Sequence, residues 1–281
     1  MSPDLRGARV VLTRAQDDLD ALAASVRAHG GEPLLLPCLT FTGPTDPAPV
    51  LALLDRLLHG DKPGVLALAS PQAVRRLVGA LRSRGHDPAV ALAGVRLCAS
   101  GEATARLVQS AGLPRPLAPA HEKGAGAQAL AQALAEEWAR AGVDPASQRV
   151  WLLKAEEGNP DLPKLLAATG AVLEQAALYT TVPAGPEDLS LLPTSAAGAL
   201  MALRKNTASA IVFGSGSAAR GYARMLGQEG LAFAARTLVA AMGEKCNTDC
   251  LALGLTPGLV GTGGFEELLA ALAKRLAEAP L

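Results

Sequence analysis

Two short loops combine serine with small residues in a pattern that suits anion binding. "LASPQAV" (68–74) and "VFGSGSAARG" (212–221) each follow an apolar run and precede a helical pattern. A serine at such a junction first predicts a helix N-cap, here Ser70 and Ser215 or Ser217. The free N–H groups at the start of such a helix also bind carboxylates or phosphates. We therefore expect these two helix starts to bind an anion.

The second loop also contains Gly214-x-Gly216-x-x-Ala219, the spacing of a dinucleotide-binding turn. The first loop has Ala69 and Pro71 at the matching positions. Moreover, the next strand, "LVAAM", does not end in the acidic residue that would bind a ribose hydroxyl. The sequence therefore predicts no NAD(P) or flavin cofactor.

Further helix starts and two cations extend the anion-binding pattern. "SGEATA" (100–105) and "MGEKCN" (242–247) open helices in the same style, and Arg14 and Lys154 each follow an apolar strand. In a parallel sheet these positions lie at the carboxyl edge, where α/β proteins bind their ligands. A substrate with several carboxylates or phosphates fits this set.

The elements that must position these residues form an internal repeat, offset by roughly 140 residues. The matching segments are 7–16 with 147–156, 27–41 with 166–181, 64–77 with 208–222, 96–113 with 237–255, and 124–134 with 261–272. Their common order predicts an ancient duplication.

Each repeat alternates apolar strands with amphipathic helices. The apolar helical stripes are Leu19, Leu22 and Val26; Val74, Leu77, Val78 and Leu81; and Phe265, Leu268, Leu269, Leu272 and Leu276. Strands without polar alternation, separated by helices, indicate parallel sheets covered on both faces. The predicted fold is α/β, with two similar doubly wound lobes. The proline-containing segments "EPLLLPCLTF" and "LEQAALYTTVP" are predicted to be extended crossings between them.

Composition limits the possible partners and cofactors. The 281 residues contain 26 basic and 26 acidic side chains, which removes a global electrostatic case for nucleic acid or an anionic membrane. The charged N-terminus and the absence of a long apolar run predict a cytoplasmic protein without a signal peptide. The four cysteines and four histidines form no metal-ligand pattern, so we expect structural thiols and no metal.

Several motifs together resemble the uroporphyrinogen-III synthase family. They are "VLTRA", "LASPQAV", "FGSGSAA", "GEATARLVQSAGL" and "LYTTVP", and the resemblance runs from Val10 to about Leu276. The chain departs from the family pattern at Leu68-Ala69, usually Phe-Thr, at Cys246, usually threonine, and at Lys154, commonly arginine. The segment "EEGNPDLPKLL" also lacks an arginine often found there.

The resemblance implies a domain organisation in which the chain leaves one lobe early and returns to it later. Lobe one would combine residues 1–36 and 184–281, and lobe two would hold residues 42–173. Residues 37–41 and 174–183 would be the crossings.

The resemblance also implies a reaction: a cyclising lyase would close hydroxymethylbilane to uroporphyrinogen III, with inversion of ring D and loss of water. Tyr179 would donate a proton to the departing hydroxyl, or would serve only as an amphipathic hinge residue. The implied substrate-binding residues are Arg14, Ser70, Gly101, Thr104, Lys154, Ser215, Gly216, Ser217, Gly243, Lys245 and Cys246. No cofactor, nucleic acid or membrane is implied, and we expect a monomer.

Two other functions use the same features. A non-catalytic bilobal cytosolic sensor of a small polyanion would need the same fold and helix starts. A two-lobed glycosyltransferase is the third reading, although the sequence shows neither an acidic metal motif nor aromatic stacking residues for it.

Overall fold

The computed structural model describes residues 4–119, 126–262 and 264–278. The chain divides into two compact units: unit 1 is Met1–Phe41 with Thr181–Leu281, and unit 2 is Thr42–Thr180. Among the helices in these described ranges, none has both the length and the apolar composition needed to cross a lipid bilayer.

The described residues form short strands alternating with helices. The strands are β1 Arg9–Leu12, β2 Glu32–Leu35, β3 Leu39–Thr42, β4 Val65–Leu68, β5 Arg96–Ala99, β6 Arg149–Ala155, β7 Val172–Pro183, β8 Ala210–Phe213, β9 Leu238–Ala241 and β10 Leu259–Val260. The helices are α1 Gln16–Ala28, α2 Ala48–Leu58, α3 Pro71–Ser83, α4 Pro88–Ala91, α5 Glu102–Ser110, α6 Ala127–Ala141, α7 Asp161–Ala167, α8 Thr194–Arg204, α9 Gly216–Ala234, α10 Glu244–Ala252 and α11 Phe265–Glu278. Short 3₁₀ helices occupy Pro145–Ser147 and Pro186–Leu191.

Unit 1 is built on a sheet with the strand order β10-β9-β8-β1-β2, in which neighbouring strands are parallel. Helices α1 and α11 pack on one face, against Val10 and Val212, while α8, α9 and α10 pack on the other, against Val11 and Ile211. Successive strand residues are therefore buried on opposite faces, which explains why these strands lack polar alternation.

Unit 2 contains β4, β5, β6 and most of β7, in the spatial order β7-β6-β4-β5, and β4 pairs in parallel with both β5 and β6. Helices α6 and α7 cover one face, where they pack on strand residues such as Ala67 and Leu152. The predicted apolar stripe of α3 is fully buried, and it consists of Val74, Leu77, Val78 and Leu81. The predicted α/β class with parallel sheets is confirmed.

Both segments predicted to be extended are strands, since residues 32–42 contain β2 and β3 and residues 172–183 form β7. Strand β7 pairs in parallel with β6, but the register shifts near its middle: Lys154 is opposite Ala177, whereas Ala155 is opposite Tyr179. This β-bulge leaves Leu178 as the extra residue, and bulges commonly redirect the side chains beside them.

Candidate functional site

A cavity of about 460 Å³ lies in unit 2, at the edge where its parallel strands end. Its walls come from the loops after β4, β5 and β6, the first turn of α6, and β7. Helix α3 follows β4, and helix α7 follows β6. These two strands are neighbours in the sheet, and the two helices cover opposite faces of it. Ligands of open α/β sheets bind at such a reversal of direction. Five predicted site residues line the cavity: Ser70, Gly101, Thr104, Lys154 and Tyr179.

Tyr179 and Ser70 form a hydroxyl pair in the cavity wall, with their oxygens 2.8 Å apart. Ser70 Oγ also accepts the Ala73 N–H at 3.1 Å, so the predicted N-cap of α3 is confirmed. Tyr179 is 5% exposed, which leaves little of its ring in contact with water. Either hydroxyl of the pair can donate to the other, and the pair can pass one proton to a molecule bound beside it.

The second wall is the start of α5. Gly101 is the N-cap of this helix and lines the cavity together with Glu102 and Ala103 of the first turn; its backbone is extended, a conformation that any residue adopts. Ser100 Oγ donates to the Ala69 carbonyl oxygen at 2.8 Å and lies 3.5 Å from the Thr104 hydroxyl. Thr104 is 2% exposed, so its hydroxyl borders the cavity from a buried position. The arrangement offers hydroxyl and N–H donors suited to a carboxylate.

Among the described residues that line the cavity, Lys154 is positively charged and Glu102 is acidic. The Lys154 ammonium donates to the carbonyl oxygens of Ala155 and Glu156, at 3.2 and 3.4 Å. The side chain is thereby folded back on its own loop, and its charge is fixed at the cavity wall. A bound carboxylate would compete with these two carbonyl oxygens for its protons.

Sequence reasoning missed Ser100, Asn159 and Leu162, which also line the cavity. Asn159 Oδ1 accepts the Asp161 N–H at 3.0 Å, so the amide nitrogen is the end that can donate to a bound molecule. A signal was present for Asn159, since it lies in the segment "EEGNPDLPKLL", which was noted only for its missing arginine. Ser100 is the first residue of the segment "SGEATA", but it was not predicted to belong to the site.

In unit 1 the predicted residues lie in the loop after β1, at the N-caps of α9 and α10, and in the first turns of these two helices. Ser215 Oγ accepts the Ala218 N–H at 3.3 Å, which confirms the N-cap of α9. Arg14 pairs with Asp18 at 2.9 Å and donates to the Gly214 carbonyl oxygen at 3.3 Å. A Cβ on Gly214 would lie 2.6 Å from Arg14 Cδ, so this glycine leaves room for the arginine side chain.

The carboxylate of Asp249, a residue of α10, lies beside the start of α9. A Cβ on Gly216 would overlap Asp249 Oδ2, so Gly216 leaves room for this side chain. Arg220 lies 3.5 Å from Asp249 and donates to Ser217 Oγ at 3.1 Å. The two glycines that resemble a dinucleotide turn thus accommodate Arg14 and Asp249.

The start of α10 combines an exposed cation with a buried thiol. Gly243 is the N-cap, Lys245 is exposed, and Cys246 is 6% exposed with its Sγ 3.4 Å from the Phe213 carbonyl oxygen. A hydrogen bond from the Cys250 thiol lowers the pKa of Cys246. All four cysteines are free and buried. Within the described residues no cluster of histidine, cysteine and acidic side chains suits a metal ion.

A second cavity, of about 360 Å³, lies in unit 1 beside β3 and the 3₁₀ helix at Pro186–Leu191. Its wall is mainly apolar, and Gln16, Thr40 and Asp188 are its polar members. It is lined by none of the predicted site residues.

Comparison with known proteins identifies relatives over nearly the whole chain. The profile of the family HEM4, "Uroporphyrinogen-III synthase HemD", matches residues 20–277. A mutant uroporphyrinogen III synthase from the extremely thermophilic bacterium Thermus thermophilus is similar in structure, with a TM-score of 0.52 and 21% identity, over 97% of this chain and 99% of that chain. The uroporphyrinogen-III synthetase from Helicobacter pylori has a TM-score of 0.58 and 17% identity, over 96% and 99%. No curated protein sequence matches.

The structural likeness, at these identities, establishes the fold. The family profile goes further because it covers all but the ends of the sequence, including both serine loops and the segment with Tyr179. The chain therefore belongs to the uroporphyrinogen-III synthase family.

Proposed function

We propose that this protein closes hydroxymethylbilane to uroporphyrinogen III, with inversion of ring D and loss of water, in tetrapyrrole and heme biosynthesis. Family membership supports this reaction. The observation that supports a site for this reaction is the Tyr179–Ser70 hydroxyl pair in the cavity of unit 2. Among the described residues that line it, the cavity has hydroxyl and N–H donors, the cation Lys154 and the acidic Glu102, and the donors and the cation support an anionic substrate.

The chemistry requires a proton and a controlled geometry. Departure of the terminal hydroxyl as water leaves an electrophilic azafulvene on ring A. Ring D then attacks through its substituted carbon, and the resulting spiro intermediate fragments and recloses with ring D turned over. Closure without this control gives the type I isomer. Much of the catalysis is therefore positioning, which makes the crowded carbon the one that reacts.

Tyr179 is proposed as the donor of the proton that the hydroxyl needs to leave. A phenol is protonated at neutral pH under ordinary conditions and is therefore available as a general acid. Ser70 holds its hydroxyl and can either orient the tyrosine proton or relay it. Because Tyr179 is nearly buried, little water competes for this position.

Carboxylate-binding roles are proposed for the helix starts and cations of each unit. In unit 2 these are Ser70, Gly101, Thr104 and Lys154, which share one cavity. In unit 1 they are Arg14, Ser215, Gly216, Ser217, Gly243, Lys245 and Cys246. The support in unit 1 is the location of these residues at helix starts and strand ends, although Arg14 is already paired with Asp18 and Cys246 is buried.

A duplication is proposed as the origin of the two sheets. The repeat pairs β1 with β6, β2 with β7, β8 with β4 and β9 with β5, and both sheets place these strands in the same order. Equivalent serines, Ser70 and Ser215, cap the equivalent helices α3 and α9. On this basis we retain the proposed lobes, 1–36 with 184–281 and 42–173, and the crossings 37–41 and 174–183.

The remaining proposals concern partners. A monomeric cytoplasmic enzyme is proposed. It is proposed to use no cofactor, because cyclisation with loss of water needs no redox or metal chemistry. No nucleic-acid partner is proposed, since acidic and basic residues are equal in number.

Incubation of the purified protein with hydroxymethylbilane, followed by chromatographic separation of the isomers, tests this function. A synthase produces the type III isomer at a rate proportional to protein concentration. Type I product alone would refute the proposal, and saturable binding without turnover would favour a sensor of a polyanion.

A further inference from the structure

Glu156 lies just outside the cavity of unit 2 and joins three segments of the chain. Its Oε2 accepts hydrogen bonds from the Thr45 N–H at 2.9 Å and the Thr45 hydroxyl at 3.0 Å. The same oxygen accepts a hydrogen bond from the Thr180 hydroxyl. One carboxylate oxygen therefore anchors the segment after β3, the end of β6 and the residue that follows Tyr179.

The backbone of Glu156 makes a second link to the same place. Its N–H donates to the Tyr179 carbonyl oxygen at 2.8 Å, directly after the bulge that separates Ala177 from Tyr179 in the register. Leu178, the extra residue, and Tyr179, which follows it, are both buried. A bulge also interrupts the hydrogen-bond ladder locally, so the direction of Tyr179 depends on contacts beyond it.

The hydrogen-bond donors around Glu156 stabilise the negative charge of its carboxylate. The hydrogen bond from Thr180, followed by that from the Thr45 N–H, lowers the pKa of this carboxyl below its usual value, and the Lys154 charge contributes in the same direction. Lys154 in turn donates to the Glu156 carbonyl oxygen at 3.4 Å. The residue thus contacts, or immediately adjoins, two proposed members of the site while itself lining no part of the cavity.

We propose that Glu156 is a positioning residue that holds Tyr179 in register with Ser70 and fixes the loop carrying Lys154. This role rests on the proposed function, because it acts on the group assigned as proton donor. Displacement of such a group by a fraction of an ångström is enough to slow a reaction that depends on orientation.

The test compares Glu156→Ala and Glu156→Gln with Asp46→Asn as the matched control. Asp46 is an exposed acidic residue of the same segment, and its carboxylate accepts only from the nearby Ala48 N–H among the hydrogen bonds described. Steady-state kcat and KM for the type III isomer are measured with each variant. Amide hydrogen exchange of Thr45 is followed by NMR, since its N–H reports the anchor without reference to activity.

For Glu156→Ala we expect loss of Thr45 amide protection, a kcat lower by about tenfold and a KM within about twofold of the original. Glu156→Gln retains an oxygen acceptor and should recover most of both properties. Asp46→Asn should leave both unchanged. If Glu156→Ala does not fold, Thr180→Val removes one donor and should give a smaller loss of the same kind.

A double-mutant cycle separates positioning from general damage. In a Tyr179→Phe background, Glu156→Ala should cost little further kcat, because the group that it positions is already absent. An equal loss in both backgrounds, or a full kcat in Glu156→Ala after Thr45 protection is lost, would overturn the positioning role. Failure of the unaltered protein to form any type III isomer would instead overturn the proposed function, and this inference with it.

Discussion

The hydroxyl oxygens of Tyr179 and Ser70 lie 2.8 Å apart, although the residues are 109 positions apart in the chain. Ser70 is also the N-cap of α3, so a single serine joins a helix start to the tyrosine. Because Ser70 Oγ accepts from both a backbone N–H and, in one orientation, the phenol, its own proton can face the cavity. We therefore propose that the pair combines anion binding and proton donation in one place.

Replacing Tyr179 with phenylalanine should lower the turnover of hydroxymethylbilane to the type III isomer by about 10²-fold, the low end for loss of a general acid. The fold should be retained, because the aromatic ring and its packing remain. The check is the initial rate of type III formation by the folded variant.

Tyr222→Phe is the matched control for that variant, since Tyr222 is the other tyrosine and donates to the Gly230 carbonyl oxygen at 3.0 Å within unit 1. It should lose roughly 1 kcal/mol of stability, as expected for one buried hydrogen bond, and keep its rate. An undiminished rate in Tyr179→Phe would reduce Tyr179 to a hinge residue.

The two capping serines should differ in their effect on activity. Ser70→Ala and Ser215→Ala each remove an N-cap and should each lower the free energy of unfolding by about 1 kcal/mol. Ser70→Ala should also slow turnover more than Ser215→Ala, because Ser70, unlike Ser215, contacts the Tyr179 hydroxyl. Denaturant unfolding and initial rates, measured on both variants, check this difference. Equal rates would leave Ser70 as a cap alone.

Acid stability should depend on a charged cluster in unit 2. Arg56 donates to Asp61 at 2.7 Å and to both oxygens of Glu174, and its guanidinium lies 4.9 Å from the centre of the Trp151 ring. Hydrogen bonds from Arg149 and Arg56 lower the pKa of Asp61, and that from Arg56 is the largest cause lowering the pKa of Glu174.

A carboxyl with a lowered pKa in the folded state stabilises the fold above its unfolded pKa, and this contribution is lost as pH falls through the folded value. In Arg56→Gln the folded-state pKa values of the two carboxyls should rise toward their unfolded values. The variant should therefore be less stable near pH 7 but should lose less further stability on acidification, which thermal unfolding between about pH 2 and 7 measures. Arg204→Gln, which breaks an exposed pair with Glu229 in unit 1, is the control. Superimposable acid profiles for Arg56→Gln and the unaltered protein would contradict the prediction.

Two helical glycines of unit 1 should respond oppositely to alanine. A Cβ on Gly221 would overlap the Cys38 carbonyl oxygen and lie 2.9 Å from the Ala184 nitrogen, two atoms whose residues are themselves hydrogen bonded. Gly221→Ala should therefore destabilise by about 2 kcal/mol or more. Gly198 in α8 has open space at its Cβ position, and Gly198→Ala should stabilise by roughly 0.5–1 kcal/mol. Chemical denaturation of both variants checks the sign, and a stable Gly221→Ala would show that the Cys38 backbone can move aside.

Much of the local structure follows from short-range sequence rules. The period of Val74, Leu77, Val78 and Leu81 predicts a buried helical face, and Ser70 and Ser215 predict the starts of their helices, because caps and stripes depend on residues within a few positions of one another. Apolar strands between such helices predict parallel sheets, because a strand covered by helices on both faces has no polar face. The family motifs then extend this reading to a reaction.

Tertiary structure was needed wherever a residue's role depends on a partner far along the chain. The role of Gly214 and Gly216 depends on the side chains of Arg14 and Asp249, because these side chains occupy the space that a Cβ at each glycine would need. The direction of Tyr179 depends on a register shift against β6, which strand propensity does not encode because a one-residue slip turns a side chain to the other face. The sequence did not predict a role for Glu156. Its donors are Thr45, 111 positions away, and Thr180, 24 positions away. Such long-range pairs form only once the sheet has assembled.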